Sequence, residues 1–336
     1  MRLDMAGKLM RALVFGGSAG GVVGVKHVQV PIPSPSKDEV LIKLEATSLN
    51  PVDWKIHKLR LLLRPFIAPN SHLIPSSDVA GEVVEIGSQV KNLKPGDKVV
   101  AILNSLTGGG LSEYVTAKEI MTVLRPDEVS AAEGSGLPIA GLTAHSALTK
   151  ICGIKLDKTG PEKNILITAA SGGVGLYAVQ LAKLGNNHVT ATCGARNADL
   201  VKSLGADEVL DYKTPQGSSL TSPSGKKYDA VIHCGPAVAW PVFEKNLGEN
   251  GIVVVLTPGP ASMWTYAVKK ITFSKKKLVP FILSPSGDHS LKYLVELVRD
   301  GKMKTIIDSK HSLSRCEEAW IKSIEGHATG KIVVEP

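Results

Sequence analysis

The sequence predicts an α/β fold in two parts, a β-rich domain followed by a doubly wound parallel sheet. Three observations carry this. The chain has 336 residues, more than one typical domain and enough for two. Its first third is a series of short apolar runs broken by Gly and Pro. From Asn164 onward, strand patterns alternate with helix patterns, the order that builds a parallel sheet. The 33 glycines suit many tight strand–helix turns, and the 4% aromatic content argues against a protein that stacks nucleic-acid bases.

The elements follow in order. Leu9–Phe15 and His27–Val30 are short apolar strands, the second stopped by Pro31, Pro33 and Pro35. Glu39–Ala46 alternates as a half-buried strand should, and Asp78–Ile86 and Lys98–Ile102 are further strands punctuated by Gly87, Gly96 and Gly108–Gly110. The pattern changes near residue 137, so residues 1–136 are expected to form the first domain. Leu137–Leu148 reads as a helix. Then come strand Ile165–Ala170, helix Val174–Leu184, strand His188–Cys193, helix Ala198–Leu204 and strand Glu208–Tyr212. Strand Tyr228–Cys234, helix Pro241–Leu247 and strand Ile252–Leu256 continue the series. Residues 137–285 are the expected second domain, and Thr214–Lys227 is polar enough to be an exposed loop within it. Residues 286–336 carry helices Ser290–Arg299 and Cys316–Ile324 and strand Lys331–Val334, and are expected to return to the first domain.

Net charge is +8, and the sequence pI is about 9.2. Lys269, Lys270, Lys275, Lys276 and Lys277 flank the apolar run Ile271–Phe273, which reads as a basic strand or hairpin edge. Two readings stay open for these lysines. They attach the protein to an anionic membrane surface, at about 1 kcal/mol per well-placed lysine, or they protect a sheet edge from unwanted pairing. The same run is the candidate for pairing in a homodimer, with a monomer equally defensible. Cys152, Cys193, Cys234 and Cys316 are scattered, which excludes a Cys-x-x-Cys zinc lobe and suggests free thiols in a reducing compartment. No apolar run is long enough to span a membrane. Met1–Met10 shows no signal core or transit composition, Met5 is a second candidate start, and no cleavable targeting peptide is expected.

The segment Ala169-Ala170-Ser171-Gly172-Gly173-Val174-Gly175 is the most informative. It follows an apolar strand and opens a helix. Gly172 and Gly175 take the second and third glycine positions of the dinucleotide fingerprint, and Ala170 takes the first. The second glycine admits the backbone to the pyrophosphate, the third allows close helix–strand packing, and the helix start supplies N–H groups and a favourable dipole. An NAD site ends its second strand with a carboxylate roughly 20 residues later, for the ribose hydroxyls. Here Thr192-Cys193-Gly194-Ala195-Arg196-Asn197 has none, and Arg196 can grip a 2′-phosphate bidentately. Tyr212 and Lys213 are expected beside it, so NADPH is the expected cofactor. The sequence has no Gly-x-Ser-x-Gly elbow, no His-Glu-x-x-His and no P-loop, and its nine histidines are dispersed. Hydride transfer needs no protein nucleophile.

Several ordered motifs then form a recognisable set: Asn50-Pro51-Val52-Asp53-Trp54-Lys55, Asp78–Val84, Lys94–Val99, Leu137–Ala144, the Ala169–Gly175 turn and His327–Val333. Together they resemble the quinone oxidoreductase branch of the medium-chain dehydrogenases/reductases over nearly the whole chain. Gly108–Leu111, Cys193–Asn197, Ser203–Lys213 and Ser222–His233 look more narrowly like the chloroplast envelope quinone oxidoreductase homologues of plants, which resemble alkenal/one reductases. The resemblance implies a GroES-like catalytic domain joined to a Rossmann domain. It also implies an enzyme without zinc, since Ser76-Ser77-Asp78 stands where zinc-dependent relatives carry Gly-His-Glu.

The activity implied first is NADPH-dependent reduction of the C=C bond of an α,β-unsaturated carbonyl, with hydride delivered to the β-carbon. Quinone reduction is the alternative, and a non-catalytic NADPH-binding protein is a further one. An alcohol dehydrogenase is disfavoured by the missing zinc ligands. NADPH is expected between the two domains. Ser171, Gly172, Gly173, Val174 and Gly175 hold its pyrophosphate, Arg196 and Tyr212 hold its 2′-phosphate, and Lys55 reaches its nicotinamide ribose. Cys193, Gly194, Asn197, Cys234, Thr257 and Thr329 complete the implied contact set. Asn50 is expected to set its turn, Asp53 to orient Lys55, and Tyr114 is a weak candidate proton donor. The partner is a small-molecule enone or quinone, not a nucleic acid. The implied location is the chloroplast, at the periphery of the inner envelope or in the stroma, with the cytoplasm as alternative. Leu59–Arg64, Gly134, Gly136 and Gly235–Trp240 depart from the look-alikes, and the first and last of these departures are expected near the acceptor.

Overall fold

The computed structural model describes residues 7–19, 22–57, 59, 66, 73–287 and 289–336. Most of Leu59–Arg64 and the candidate start Met5 therefore lie outside the described residues. The chain folds as two compact units, Met1–Ala140 with Pro285–Pro336, and Gly141–Ser284.

In the first unit, strands β1 (Leu9–Ala19) and β2 (Val22–Pro31) form an antiparallel pair. Among the described residues, a seven-stranded sheet runs in the order β14 (Ile307–Ser312), β15 (Lys331–Glu335), β3 (Glu39–Leu49), β4 (Asp78–Ile86), β5 (Lys98–Ile102) and β7 (Thr122–Leu124). Strand β6 (Tyr114–Lys118) also pairs with β3. The C-terminal strand thus returns to this unit and lies antiparallel to β3, with Ile332 opposite Leu49. The alternation expected along β3 holds only in its middle, from Ile42 to Ala46. From Ala46 to Leu49 every residue is buried, including Thr47 and Ser48, because the strand end is covered on both faces. A core of Leu13, Leu41, Leu111 and Trp320 sits on one side of this region. A second core of Val40, Ile42, Val79 and Val99 lies within the sheet strands.

In the second unit, the sheet order is β10 (Glu208–Asp211), β9 (His188–Cys193), β8 (Asn164–Thr168), β11 (Tyr228–His233), β12 (Leu247–Val255) and β13 (Lys277–Pro280). Every pairing is parallel. Numbered from β8, the order is 3-2-1-4-5-6, that of a dinucleotide-binding sheet, and the order reverses between β8 and β11. Ile165, Leu166 and Ile167 have no exposure, the pattern of a parallel strand covered on both faces.

One expectation fails here and another holds only in part. Ile271–Phe273 is not a strand. A helix runs over Pro260–Ile271, Phe273 takes a left-handed φ of 50°, and the edge strand is β13 instead. Met263, Trp264, Val268 and Ile271 fall on one arc of this helix and all are exposed, so its period was hidden by a face that meets no core. The lysines around it are partly engaged: Lys269 with Glu244 at 2.7 Å, Lys275 with Glu249 at 2.5 Å, and Lys276 with the Glu244 carbonyl at 2.7 Å. Thr214–Lys227 is not simply an exposed loop. Thr214 caps a short helix, Pro215–Ser218, and Ser222 is buried with its hydroxyl donated to Glu208 at 2.7 Å. The helix expected over Leu137–Leu148 spans Pro138–Ser146 and widens into a π-helical turn over Ala147–Ile151. A Cβ at Gly134 would lie 2.7 Å from Val100 Cγ2, so an alanine there would require Val100 to move.

Candidate functional site

In the second unit, the Gly-rich turn joins β8 to the helix Gly173–Leu184, here α4 after α1 (Pro51–Lys55), α2 (Ala131–Ser135) and α3 (Pro138–Ser146). The turn is pinned to the end of β9: Ala169 N–H donates to Thr192 Oγ1 at 3.2 Å and Ala170 N–H to the Thr192 carbonyl at 2.8 Å. Ala169, not Ala170, takes the left-handed conformation, with φ 49°. A non-glycine residue there is strained by about 1–2 kcal/mol. Ala169→Gly is therefore expected to raise stability by ~0.5–1 kcal/mol, after the larger entropy of a glycine in the unfolded chain is subtracted. Urea melts of both proteins check this, and an unchanged or lower midpoint would count against strain at Ala169.

Gly172 is the N-cap of α4, in extended conformation, and has no side chain with which to cap the helix. The first-turn N–H groups lack intrahelical acceptors and, with the helix dipole, make a cradle for an anion. At Gly175 a Cβ would stand 2.5 Å from the Ala169 carbonyl oxygen and 2.6 Å from Ala170 Cα, so the turn and helix touch backbone to backbone. Ser171, Gly173 and Val174 complete this cradle, and it fits a pyrophosphate.

Cys193, Gly194, Arg196, Asn197 and Tyr212 cluster where β9 and β10 end. Tyr212 N–H donates to the Cys193 carbonyl at 3.2 Å, and Asn197 N–H to Gly194 at 2.9 Å. The Tyr212 ring lies beside Gly194, where a Cβ would be 3.5 Å from its Cε1, and the Lys213 ammonium sits 5.9 Å from the ring centre. Arg196 and Tyr212 are exposed, and no carboxylate stands at the strand end where an NAD site would carry one. The Cys193 thiol is pushed up to about 11, by burial first and the Asp211 charge second, and Cys234 to about 12 by burial. Both are neutral thiols near pH 7, suited to contact and not to nucleophilic attack.

At the point of strand reversal, His233 and Thr168 hydrogen-bond across β11 and β8 at 2.8 Å. Cys234 N–H also donates to Thr168 Oγ1, at 3.1 Å, and Thr257 Oγ1 donates to the Gly235 carbonyl at 3.3 Å. Burial lowers the His233 imidazole pKa, so the ring is neutral. Thr168 and His233 were missed by sequence reasoning, since each reads there as an ordinary strand residue.

The first unit carries Asn50, Lys55, Tyr114 and Thr329. Asn50 caps α1 and is buried. Its N–H donates to Asp53 Oδ2 at 2.7 Å, so this carboxylate serves the turn itself. Lys55 is exposed, with its ammonium 5.4 Å from the Trp54 ring centre. Tyr114 begins β6 and packs half-buried against the Leu13–Trp320 core. Thr329 N–H donates to Asp308 at 2.7 Å, just ahead of β15. Asp78 and Lys331, both buried, stand beside Asn50. Asn50 Nδ2 donates to Asp78 Oδ2 at 2.9 Å, and Lys331 Nζ donates to Asn50 Oδ1 at 2.5 Å and lies 3.7 Å from Asp78. Burial pushes Asp78 up and Lys331 down, and their mutual attraction opposes both shifts.

This donor set does not fit zinc. Ser77 offers a neutral hydroxyl, Asp78 is already held by Asn50, Ser48 and Ile139 N–H, and the Lys331 ammonium would repel a second cation. Among the described residues no three His, Cys, Asp or Glu side chains converge as metal ligands.

Comparison with known proteins agrees with this architecture. Residues 36–127 match the alcohol dehydrogenase GroES-like domain, and residues 204–334 match the zinc-binding dehydrogenase model. The chain is 67% identical to the chloroplastic quinone-oxidoreductase QR1 of Triphysaria versicolor and 65% identical to the chloroplast envelope quinone oxidoreductase homolog of Arabidopsis thaliana. Each alignment covers 99% of this chain and 100% of the relative. It is 35% identical to the chloroplastic NADPH-dependent alkenal/one oxidoreductase of Arabidopsis thaliana, over 98% of this chain and 80% of that one. The solved quinone oxidoreductase of Coxiella burnetii superposes with a TM-score of 0.85 at 29% identity, covering 98% of this chain and 100% of that one. With its GroES-like first unit, its dinucleotide-binding sheet and these relatives, the chain belongs to the quinone oxidoreductase branch of the medium-chain dehydrogenases/reductases, oxidoreductases that use a nicotinamide cofactor.

Proposed function

We propose that this protein is an NADPH-dependent reductase whose first acceptor class is the quinones. The observation that carries the cofactor choice is the cluster at the ends of β9 and β10, with Arg196, Tyr212 and Lys213 present and no carboxylate at the end of β9, the place where an NAD site carries it. A guanidinium binds a 2′-phosphate through paired charge-assisted hydrogen bonds and gives NADH nothing to match. The higher identity to quinone oxidoreductases than to the alkenal/one oxidoreductase supports quinones over the enones that the motifs alone put first.

When bound, NADPH supplies a hydride, and an acceptor quinone takes it together with a proton to give the hydroquinone. The turn Ser171–Gly175 holds the pyrophosphate, and Cys193, Gly194, Arg196, Asn197 and Tyr212 surround the 2′-phosphate. Cys234 and Thr257 flank the point of strand reversal, where a dinucleotide crosses a sheet of this order. Lys55 binds the nicotinamide ribose and stabilises negative charge on the acceptor oxygen, Asn50 sets the turn that carries it, and Thr329 completes the cofactor contacts. No step is routed through a metal. The protein works in the chloroplast, the compartment its 65–67% identical relatives are named for, at the inner envelope periphery or in the stroma.

The second reading is C=C reduction of an enone, favoured by the identity to the alkenal/one oxidoreductase. Hydride transfer to either acceptor needs the same cofactor geometry and the same oxyanion stabilisation. NADPH oxidation, with NADH as control, against matched panels of quinones and linear enones separates them when the products are identified. Hydroquinone formed with NADPH at least tenfold faster than with NADH is the expected result. Saturated ketones alone would move the activity to the second reading, and turnover of neither panel would overturn both.

A further inference from the structure

We infer that Lys331 is a positioning residue for this reaction: with Asp78 it clamps both ends of the Asn50 side-chain amide, and so sets where the α1 turn holds Lys55. The inference rests on the role proposed for Lys55.

Asn50 is held from every side. Its Oδ1 accepts from Lys331 Nζ at 2.5 Å, its Nδ2 donates to Asp78 Oδ2 at 2.9 Å, and its backbone N–H donates to Asp53 Oδ2 at 2.7 Å. Lys331 Nζ also donates to the Leu49 carbonyl at 3.3 Å, one residue earlier. The opposite oxygen of Asp78 accepts from Ile139 N–H at 2.9 Å, at the start of α3. Lys331 opens β15 and Asp78 opens β4, so the clamp ties the α1 turn to two sheet strands and a helix.

A clamp is needed because α1 spans only five residues, Pro51–Lys55. So short a helix does not hold its own geometry, since nucleation costs more than one turn returns. Its direction must be imposed from its N-cap, and Asn50 is that residue. Lys331 and Asp78 are 3% and 0% exposed at the side chain. A buried ion pair like this stabilises a fold no better than an apolar pair of the same volume. Its directional hydrogen bonds, however, place Asn50 in one way only. Displacement of a functional group by about 1 Å can cost on the order of a hundredfold in rate.

The test compares the full-length protein with Lys331→Met and with Lys331→Met/Asp78→Asn. The single variant leaves a buried carboxylate unpaired and is expected to lose stability. The double variant removes both charges of the pair, leaves only the Asp53 carboxylate that also faces Lys331, and is expected to melt well above the single variant. For the double variant we expect kcat with a quinone at least tenfold lower, KM for NADPH raised by less than kcat falls, and amide hydrogen exchange at Asn50, Asp53 and Ile56 at least tenfold faster. Recovery of kcat along with the melting temperature would overturn the inference and leave the network a purely structural role. If the parent itself turns over neither quinones nor enones, the functional reading fails separately. Exchange then decides the clamp: faster exchange at these three amides upholds it, and parental exchange overturns it.

Discussion

Gly175→Ala is expected to cost the fold about 2–3 kcal/mol and to weaken NADPH binding by more than tenfold. The added Cβ would stand 2.5 Å from the Ala169 carbonyl oxygen, 2.6 Å from Ala170 Cα and 2.9 Å from Ala170 C. All three are backbone atoms, so no rotamer change can relieve the overlap. The turn itself cannot retreat freely, because Ala169 and Ala170 are both bonded to Thr192 on β9. Relief must come from moving the start of α4, where the cradle N–H groups are. Gly172→Ala is the matched control. Its Cβ would meet only the Ala169 carbonyl oxygen, at 3.3 Å, and its φ of −82° is open to alanine. That variant should keep its stability to within about 1 kcal/mol and still bind NADPH more weakly, since the methyl group stands at the anion cradle. Thermal melts and fluorescence titration with NADPH check both variants. Gly175→Ala with parental stability would show that the backbone contact is softer than this geometry implies.

Arg196→Ala is expected to raise KM for NADPH by roughly ten- to a hundredfold, the loss of about 1.5–3 kcal/mol for hydrogen bonds to a charged group. KM for NADH should stay within twofold, because NADH has no 2′-phosphate. Arg196 is exposed, on a short 3₁₀ turn over Ala195–Asn197, so the substitution should leave the melting temperature unchanged. Tyr212 beside Gly194 and Lys213 beside Tyr212 keep some phosphate affinity in the variant. The effect should shrink as salt rises, since the site is open to solvent. Steady-state kinetics with both cofactors at two ionic strengths measure it. Equal loss with NADPH and NADH would mean that Arg196 serves the turn and not the phosphate.

The dinucleotide-binding half was largely legible in the sequence, since its elements are local. Strand His188–Cys193 stands where apolar periodicity puts it, and in the first unit so do strands Asp78–Ile86 and Lys98–Ile102 and helix Ser290–Arg299. The Gly-rich turn could be read from Gly172 and Gly175 because a phosphate turn needs glycines at a fixed local spacing, here three residues apart. Periodicity failed where a pattern met no core. The Pro260–Ile271 helix turns its apolar arc outward, and the short apolar run at its end imitates a strand. The polar run after Thr214 reads as a wholly exposed loop because Ser222 gives no sign in sequence that Glu208 draws it inward.

What the sequence by itself determined is the two-part α/β order, the Gly-rich turn that opens α4 and the absence of a carboxylate at the end of β9, each written in neighbouring residues. What only the tertiary structure decided is the surroundings of Asn50. Lys331 reaches it from 281 residues away, and no spacing rule joins the two. Lys331 becomes a partner of Asn50 because β15 returns to lie antiparallel to β3, with Ile332 opposite Leu49. The left-handed strain likewise settled on Ala169 and not on Ala170, because the hydrogen bonds to Thr192 fix how the chain leaves β8. Local sequence sets which conformations a segment can adopt. Which buried polar group meets which is decided when strands distant in sequence pair and their unsatisfied hydrogen-bonding groups must find partners out of water.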